Sequence, residues 1–192
     1  MRLAVILIVI LLSLFGYSQT KTEYERSIAL DSFPEAAKTS LMVLPSGVNK
    51  QRFYKEISGD KISYETKFRY HKKYYSIEFS ANGILEDIEI TVNVKLINPD
   101  LKVIMEKHFE ATSKKYRWLK IQEQYRYEIA QNAELFILDV LSGNSKLQPF
   151  YEIIAEVKNN RSFTLKEYNF NNLGELVSEK TIDPESYAHV LY

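Results

Sequence analysis

The stretch Tyr64–Val94, YETKFRYHKKYYSIEFSANGILEDIEITVNV, carries the pattern that decides the fold. Apolar and polar residues alternate through three successive runs, which is typical of half-buried β-strands. Asn82 and Gly83 lie between the second and third runs and supply the positive φ angles that a tight hairpin turn needs. We therefore predict an antiparallel sheet with one apolar and one polar face. Because such sheets usually rest only their apolar face on helices, we expect the polar face to lie in solvent, where it can serve as a binding surface.

Two short motifs predict the helices that cover the apolar face. The motif Ser32–Glu35 begins a first helix, which runs to about Leu44, because Ser can cap the free amides and Glu three residues later reaches back. The motif Asn98–Asp100 begins a second helix, which ends near Lys115, with Asn as the cap and Pro in the first turn. Strands follow each helix, so the chain alternates between helical and extended segments.

The order of these elements divides the chain into a signal peptide, residues 1–18, and two units, residues 19–97 and 98–192. Phe170 precedes Gly174 by four residues, just as Phe79 precedes Gly83, which suggests an internal repeat. The second unit carries an insertion at residues 128–149, whose short apolar run fits either an added strand or a short helix. We predict an α+β fold of tandem helix-plus-four-stranded antiparallel sheet units, with the helices packed on one face of the sheet.

The first 18 residues have the features of a secretory signal. Arg2 is followed by an apolar core, and the small residues Gly16 and Ser18 occupy the −3 and −1 positions of a cleavage site. An uncleaved membrane anchor is the alternative, but the apolar core is shorter than the roughly 20 residues that a spanning helix needs. We predict cleavage after Ser18, export to the periplasm or the extracellular space, and no stable membrane insertion afterwards.

Composition and charge argue against several functional classes. The chain holds 25 basic and 25 acidic side chains, so no charge excess points to nucleic acid or to a membrane surface. It has no cysteine and therefore no thiol nucleophile. The three histidines, His71, His108 and His189, lie far apart and in no metal-ligand spacing. We predict a non-enzymatic protein with no metal, no cofactor and no nucleic-acid partner.

An acidic cluster follows the hairpin turn at Glu86, Asp87 and Glu89. One interpretation is a contact with a cation or a basic peptide. We favour an exposed outer face, because charge on one side of a strand is typical of exposure.

The motif Ser32–Glu35, followed by the strands around Ile62–Glu65 and Tyr75–Gly83, resembles the PepSY-like domains described as beta-lactamase-inhibitor-like. Members of that family are exported, often carry tandem helix-plus-sheet units, and mostly lack an assigned biochemical function. The resemblance implies two helices packed on one side of a curved sheet. It also implies an open sheet face that grips another protein.

Candidate binding residues lie on the predicted polar face: Tyr54, Arg69, Tyr74, Trp118 and Arg126. Tyr, Trp and Arg often dominate protein interfaces, because they combine large contact areas with a polar group. Alternatively, Tyr74 and Trp118 cover a sheet edge or pack under the insertion.

We predict an exported binding module that engages a protein or peptide through its open sheet face. The alternative function is a carrier of a small apolar ligand between sheet and helices, and a hydrolase that uses two carboxylates ranks third.

Overall fold

The computed structural model describes residues 19–21, 23–159 and 162–182. The predicted signal peptide lies outside these residues. The strands are β1 (Gln19–Lys21), β2 (Glu23–Ile28), β3 (Asn49–Ser58), β4 (Lys61–Tyr70), β5 (Lys73–Ser80), β6 (Leu85–Thr91), β7 (Lys115–Arg126), β8 (Phe150–Lys158), β9 (Phe163–Phe170) and β10 (Leu176–Ile182). The α-helices are α1 (Glu35–Leu41), α2 (Pro99–Thr112) and α3 (Ala133–Ser142), and short 3-10 helices lie at Leu30–Ser32 and Val94–Leu96.

All ten strands belong to one sheet, in the order β1-β10-β9-β8-β7-β6-β5-β4-β3-β2. β1 pairs with β10 in parallel, and all other neighbours are antiparallel. β1 and β2 stand at opposite ends of this order, although one residue separates them in the chain. The N-terminal segment therefore pairs first with β10 and then with β3, so the sheet curls until its two ends meet at this segment.

The predicted tandem fold is wrong, because the strands form one sheet rather than two four-stranded units. β6 pairs with β7, with Ile88 opposite Tyr125, so the hydrogen-bonded ladder continues across the predicted boundary at residue 97. The insertion at 128–149 contains the helix α3 and no strand among its residues. Alternation identifies each strand, but it does not say which strands pair across a long connection.

The predicted apolar face of the hairpin strands is confirmed by the side chains that enter the core. Its apolar side chains pack with those of α1 and α3 in a first core cluster that includes Phe33, Ala37, Phe68, Tyr75, Ile77, Phe79, Ile88, Ile90 and Ile137. A second cluster joins α2 to the later strands through Met105, Phe109, Ile121, Ile153, Tyr168 and Phe170. These side chains hold the three helices against the apolar face.

Local sequence signals differ in their outcome. The side chain of Asn98 caps α2 as predicted, because its Oδ1 accepts a hydrogen bond from the backbone N–H of Asp100 at 2.9 Å. The predicted Ser32 cap is wrong, since α1 begins at Glu35 without a side-chain cap and Ser32 ends a 3-10 turn.

The predicted turn at Gly83 is confirmed, with a φ of 77° and a hydrogen bond from its N–H to the Ser80 carbonyl. A Cβ atom at this glycine would lie 2.8 Å from Pro34, so the residue also lets α1 approach the hairpin.

The polar face of the sheet is enclosed, which corrects the expectation that it lies in solvent. The side chains of Ser63, Glu65, Ser76, Gln122 and Glu167 all lie on this face and are buried. The sheet curls until strands that are distant in its order face one another across a shared polar space. In the hairpin strands, alternation had shown correctly which residues share a face, but not that the polar face would be concave.

Candidate functional site

A polar cavity of about 350 Å³ lies on the concave face, and we call it the acidic interior. Its lining residues come from every strand from β2 to β10. Its carboxylates are Glu25, Glu56, Glu65, Glu78, Asp87, Glu89, Glu152 and Glu167, and its cations are Lys61, Lys67, Lys120, Arg126 and Lys180. The lining therefore holds eight potential negative charges against five positive ones.

One part of this cavity, which we call the lysine end, consists of Glu25, Glu56, Glu65 and Lys67. The Lys67 ammonium lies 2.7 Å from Oε2 of Glu25 and 3.0 Å from Oε2 of Glu65. Burial works against the charge on Lys67, but the two carboxylates outweigh burial and raise its pKa. Burial likewise opposes the charge on Glu65, but Lys67 and the hydrogen bonds from Glu56 and Ser76 outweigh it and lower the pKa of Glu65. Charge at the lysine end is therefore held by direct ion pairs.

The three carboxylates of the lysine end each offer an oxygen within 4.8 Å of the other two. That spacing would suit a metal ion. The Lys67 ammonium already contacts Glu25 and Glu65, however, and occupies the position that such an ion would take. We assign no metal to this cluster.

A second part of the cavity, which we call the acidic wall, consists of Glu78, Asp87, Glu89 and Glu152 on β5, β6 and β8. Burial raises the pKa of Asp87 well above its usual range, and the charges of Glu78 and Glu152 raise it further. Burial also raises the pKa of Glu89 well above its usual range, again with help from Glu152 and from Asp87. The favoured interpretation of the acidic cluster as an exposed outer face is therefore wrong for Asp87.

Hydrogen bonds from β7 satisfy the acidic wall in part. Gln124 Nε2 donates to Oδ2 of Asp87 at 3.0 Å, and Gln122 Nε2 donates to Oε2 of Glu89. Oδ1 of Asp87 is buried and has no hydrogen-bond partner in the described part of the chain. Lys61 contacts Glu78 at 3.5 Å and Glu86 at 2.7 Å. The wall thus keeps an unsatisfied acceptor atom beside the cavity.

A second cavity, of about 740 Å³, opens next to the acidic interior, and we call it the basic cleft. Four of the five predicted binding residues line it: Tyr54, Arg69, Tyr74 and Trp118. Its cationic side chains are Lys50, Arg52, Lys67, Arg69 and Lys120, and its one carboxylate is Glu65. The fifth predicted residue, Arg126, lines the acidic interior instead, with its guanidinium carbon 3.9 Å from the ring centre of Phe150.

The basic cleft lies where the sheet is interrupted. The β6–β7 ladder ends at the pair of Thr91 and Gln122, whereas β7 extends back to Lys115. The cleft is lined from both faces of the sheet, for instance by Tyr75 from the apolar face and Arg69 from the polar face. It shares four lining residues with the acidic interior, Glu65, Lys67, Lys120 and Gln122, so the two cavities adjoin.

Trp118 does not lie on the predicted side of its strand. The register of β7 shifts between Trp118 and Lys120, and this bulge turns the indole toward Phe109, with the two ring centres 5.5 Å apart. Beyond the bulge, Gln122 and Gln124 keep the polar side. An extra residue in one strand reverses the alternation that follows, and no sequence signal marked it here. Trp118 nevertheless lines the basic cleft, because the cleft reaches both faces.

The sequence analysis singled out Asp87 and Glu89 as part of an acidic cluster, but it did not single out Gln122, Gln124 or the other carboxylates of the acidic interior. The signal was present in outline, since Glu65, Glu78, Asp87 and Glu89 all occupy the polar side of their strands. The charges on the polar side of these strands come together only if the polar face is enclosed. Whether it is enclosed depends on how the sheet closes. No helix in residues 19–21, 23–159 and 162–182 is long and apolar enough to cross a membrane.

Comparison with known proteins identifies a protein of similar fold but no family for this chain. No family model matches the chain, and no curated protein matches it. Its fold is similar to the crystal structure of a DUF2874 family protein from Bacteroides ovatus ATCC 8483, with a TM-score of 0.51 and 11% identity. The match covers 77% of this chain and 86% of that one. At such low identity the likeness establishes the shared fold alone, and the PepSY-like resemblance stays a prediction.

Proposed function

We propose that this protein is a non-enzymatic binding module that holds an acidic peptide segment in the basic cleft. The observation that carries the proposal is the lining of the cleft, which combines five cationic side chains with five aromatic ones and a single carboxylate. Such a surface complements a ligand with carboxylates and apolar side chains in alternation. The predicted export would place this binding outside the cytoplasm.

The cationic groups of the cleft are placed for recognition of carboxylates. The guanidinium carbon of Arg69 lies 5.6 Å from the ring centre of Tyr74, an arrangement that orients the planar group and leaves its N–H groups available. Lys67 lies 4.9 Å from the ring centre of Tyr54, but its ammonium is engaged by Glu25 and Glu65. We therefore assign the main carboxylate contacts to Arg52 and Arg69 and a supporting role to Lys67.

The aromatic groups of the cleft supply contact area for apolar side chains. Tyr74 is 55% exposed, which is high for an aromatic side chain. Trp118 is half-buried, and its ring packs against Phe109 while it also lines the cleft, so it offers a rigid apolar surface to a ligand. Rigid aromatic side chains of this kind often contribute most of the binding energy at an interface.

Trp118 is the only tryptophan in the chain, so its fluorescence reports directly on the cleft. We expect a short synthetic peptide with alternating Glu and Phe to change this fluorescence saturably, and the same peptide with Lys in place of Glu to have no effect. The double variant Arg52→Ala, Arg69→Ala should weaken binding at least about tenfold, because two carboxylate contacts are lost.

The matched control is Arg117→Ala. Arg117 lies on the same strand as Trp118 and carries the same charge as Arg52 and Arg69, but it pairs with Glu156 and lines neither cavity. This variant should bind the acidic peptide like the wild type. Equal binding of the Lys peptide, or equal losses in the control and the double variant, would contradict the proposal.

A further inference from the structure

The acidic wall has features of a ligand site that the binding of a peptide in the basic cleft does not use. Asp87 and Glu89 project from β6 into the acidic interior, with Glu78 on one side and Glu152 on the other. The Asp87 side chain is more than nine-tenths buried, and its Oδ1 atom has no hydrogen-bond partner among the described residues. A buried acceptor of this kind is costly unless a donor satisfies it.

The geometry of the wall decides which kind of cation suits it. Within the described residues, the one group of three acids with oxygens within 4.8 Å of one another is at the lysine end, where Lys67 already lies. The carboxylates of the wall are more widely spread, and the cavity of about 350 Å³ is far larger than a bare metal ion. A cation with several N–H donors on a carbon skeleton can reach more than one of these carboxylates.

We infer that the acidic interior binds an organic cation, a primary amine whose ammonium group contacts Asp87 and Glu89. The acidic interior adjoins the basic cleft, with which it shares Glu65, Lys67 and Gln122. The site is separate from the proposed peptide contacts, which lie at Arg52 and Arg69.

Burial and the neighbouring carboxylates favour the protonated forms of Asp87 and Glu89 when no amine is bound. Asp87 faces Glu78, Glu86, Glu152 and Lys61, and burial together with the three carboxylates keeps its pKa high. Glu89 faces Glu152, Asp87 and Glu65, with Lys120 as the opposing cation, and burial again raises its pKa. An ammonium group favours the ionised carboxylates, so its binding releases protons from the wall. Affinity should therefore rise with pH until the amine itself loses its proton.

Titration calorimetry of the full chain with 1,4-diaminobutane tests this inference. We expect saturable binding above neutral pH, with an apparent enthalpy that differs between two buffers of unlike ionisation enthalpy because protons are released. The double variant Asp87→Asn, Glu89→Gln should weaken binding at least about tenfold. Both changes keep hydrogen-bond acceptors for Gln122 and Gln124 and remove buried like charges, so the variant should stay folded, as its thermal unfolding will show.

Two control variants distinguish binding at the acidic wall from binding elsewhere on the protein. Glu156→Gln removes a carboxylate that lies outside both cavities and should bind the diamine normally. Arg52→Ala, Arg69→Ala should also keep diamine binding, which distinguishes this site from the proposed peptide site. The inference is overturned if the wild type gives no binding heat, if 1,4-butanediol binds as well as the diamine, or if Ca²⁺ binds and the diamine does not.

Discussion

The two parts of the acidic interior show how similar burial leads to opposite charge states. Glu65 at the lysine end is 8% exposed and Asp87 in the acidic wall is 9% exposed. The pKa of Glu65 is nevertheless lowered, whereas that of Asp87 is raised. Glu65 has the Lys67 ammonium 3.0 Å away, while Asp87 is surrounded mainly by other carboxylates. The nearest charges therefore decide the outcome, since the burial is almost equal.

This difference assigns a structural role to the lysine end and a proposed ligand-binding role to the acidic wall. At the lysine end the protein supplies its own cation, because Lys67 on β4 pairs with Glu65 on the same strand and with Glu25 on β2. At the acidic wall the carboxylates exceed their cationic neighbours, and protons or a ligand must supply the balance. Substitutions of the two ends should therefore have opposite effects on stability.

The largest expected effect is a loss of stability in Lys67→Met. Removal of the ammonium leaves Glu25 and Glu65 beside Glu56 without their cation, and breaking a buried ion pair in this way costs about 3 to 5 kcal/mol of unfolding free energy. Urea denaturation at neutral pH measures it. Adding Glu25→Gln and Glu65→Gln should restore most of the loss, and a triple variant no more stable than Lys67→Met would show that the charges are not the cause.

A gain in stability should follow from Asp87→Asn above neutral pH. In the unfolded chain Asp87 loses its proton near its ordinary pKa of 3.8, whereas in the folded protein it keeps the proton to higher pH. The carboxyl group therefore destabilises the fold increasingly as pH rises from 3.8 through the raised pKa.

Asp87→Asn removes that destabilisation and should be more stable than the wild type by about 1 to 3 kcal/mol at pH 8, with the difference vanishing at about pH 3. Denaturation at both pH values measures it. The matched change Glu65→Gln should instead lower stability at the higher pH, because Glu65 has a lowered pKa and contributes stability above its ordinary value of 4.5. The same sign for both variants would refute the contrast between the two ends.

The smallest effect is expected for Arg117→Ala, which breaks an ion pair outside the cavity. The Arg117 side chain is 70% exposed and lies 3.0 Å from Glu156. Solvent screens such a pair, so the unfolding free energy should change by less than about 0.5 kcal/mol, as urea denaturation would measure. A loss comparable to that of Lys67→Met would mean that burial does not explain why the interior ion pairs matter more.

Sequence patterns predicted the local elements better than their assembly. The alternation around Tyr75–Phe79, the turn at Gly83 and the Asn98 cap are all present, because each depends on neighbouring residues. The division into two tandem units was wrong, because the pairing of β6 with β7 joins strands separated by α2. The choice between strand and helix for the insertion also required the structure, in which α3 packs into the first core cluster.

The candidate sites were predicted in part. Four of the five proposed binding residues share the basic cleft, which follows from placing Tyr54, Arg69 and Tyr74 correctly on the polar face. Trp118 reached the same cleft for a different reason, because a bulge in β7 moved it to the other face. A cation contact at Asp87 and Glu89 was the less favoured interpretation of the acidic cluster, since charge on one side of a strand was taken to indicate exposure.

By itself, the sequence determined the strands of the main hairpin, where that hairpin turns and which of its side chains share a face, because these properties repeat over a few adjacent residues. Only the tertiary structure decided that the polar face is enclosed, that Lys67 meets Glu25 across 42 residues of chain, and that Asp87 has mainly carboxylates around it. The physical reason is that burial and charge pairing depend on distances between remote segments, and those distances are fixed only when the N-terminal strands close the sheet.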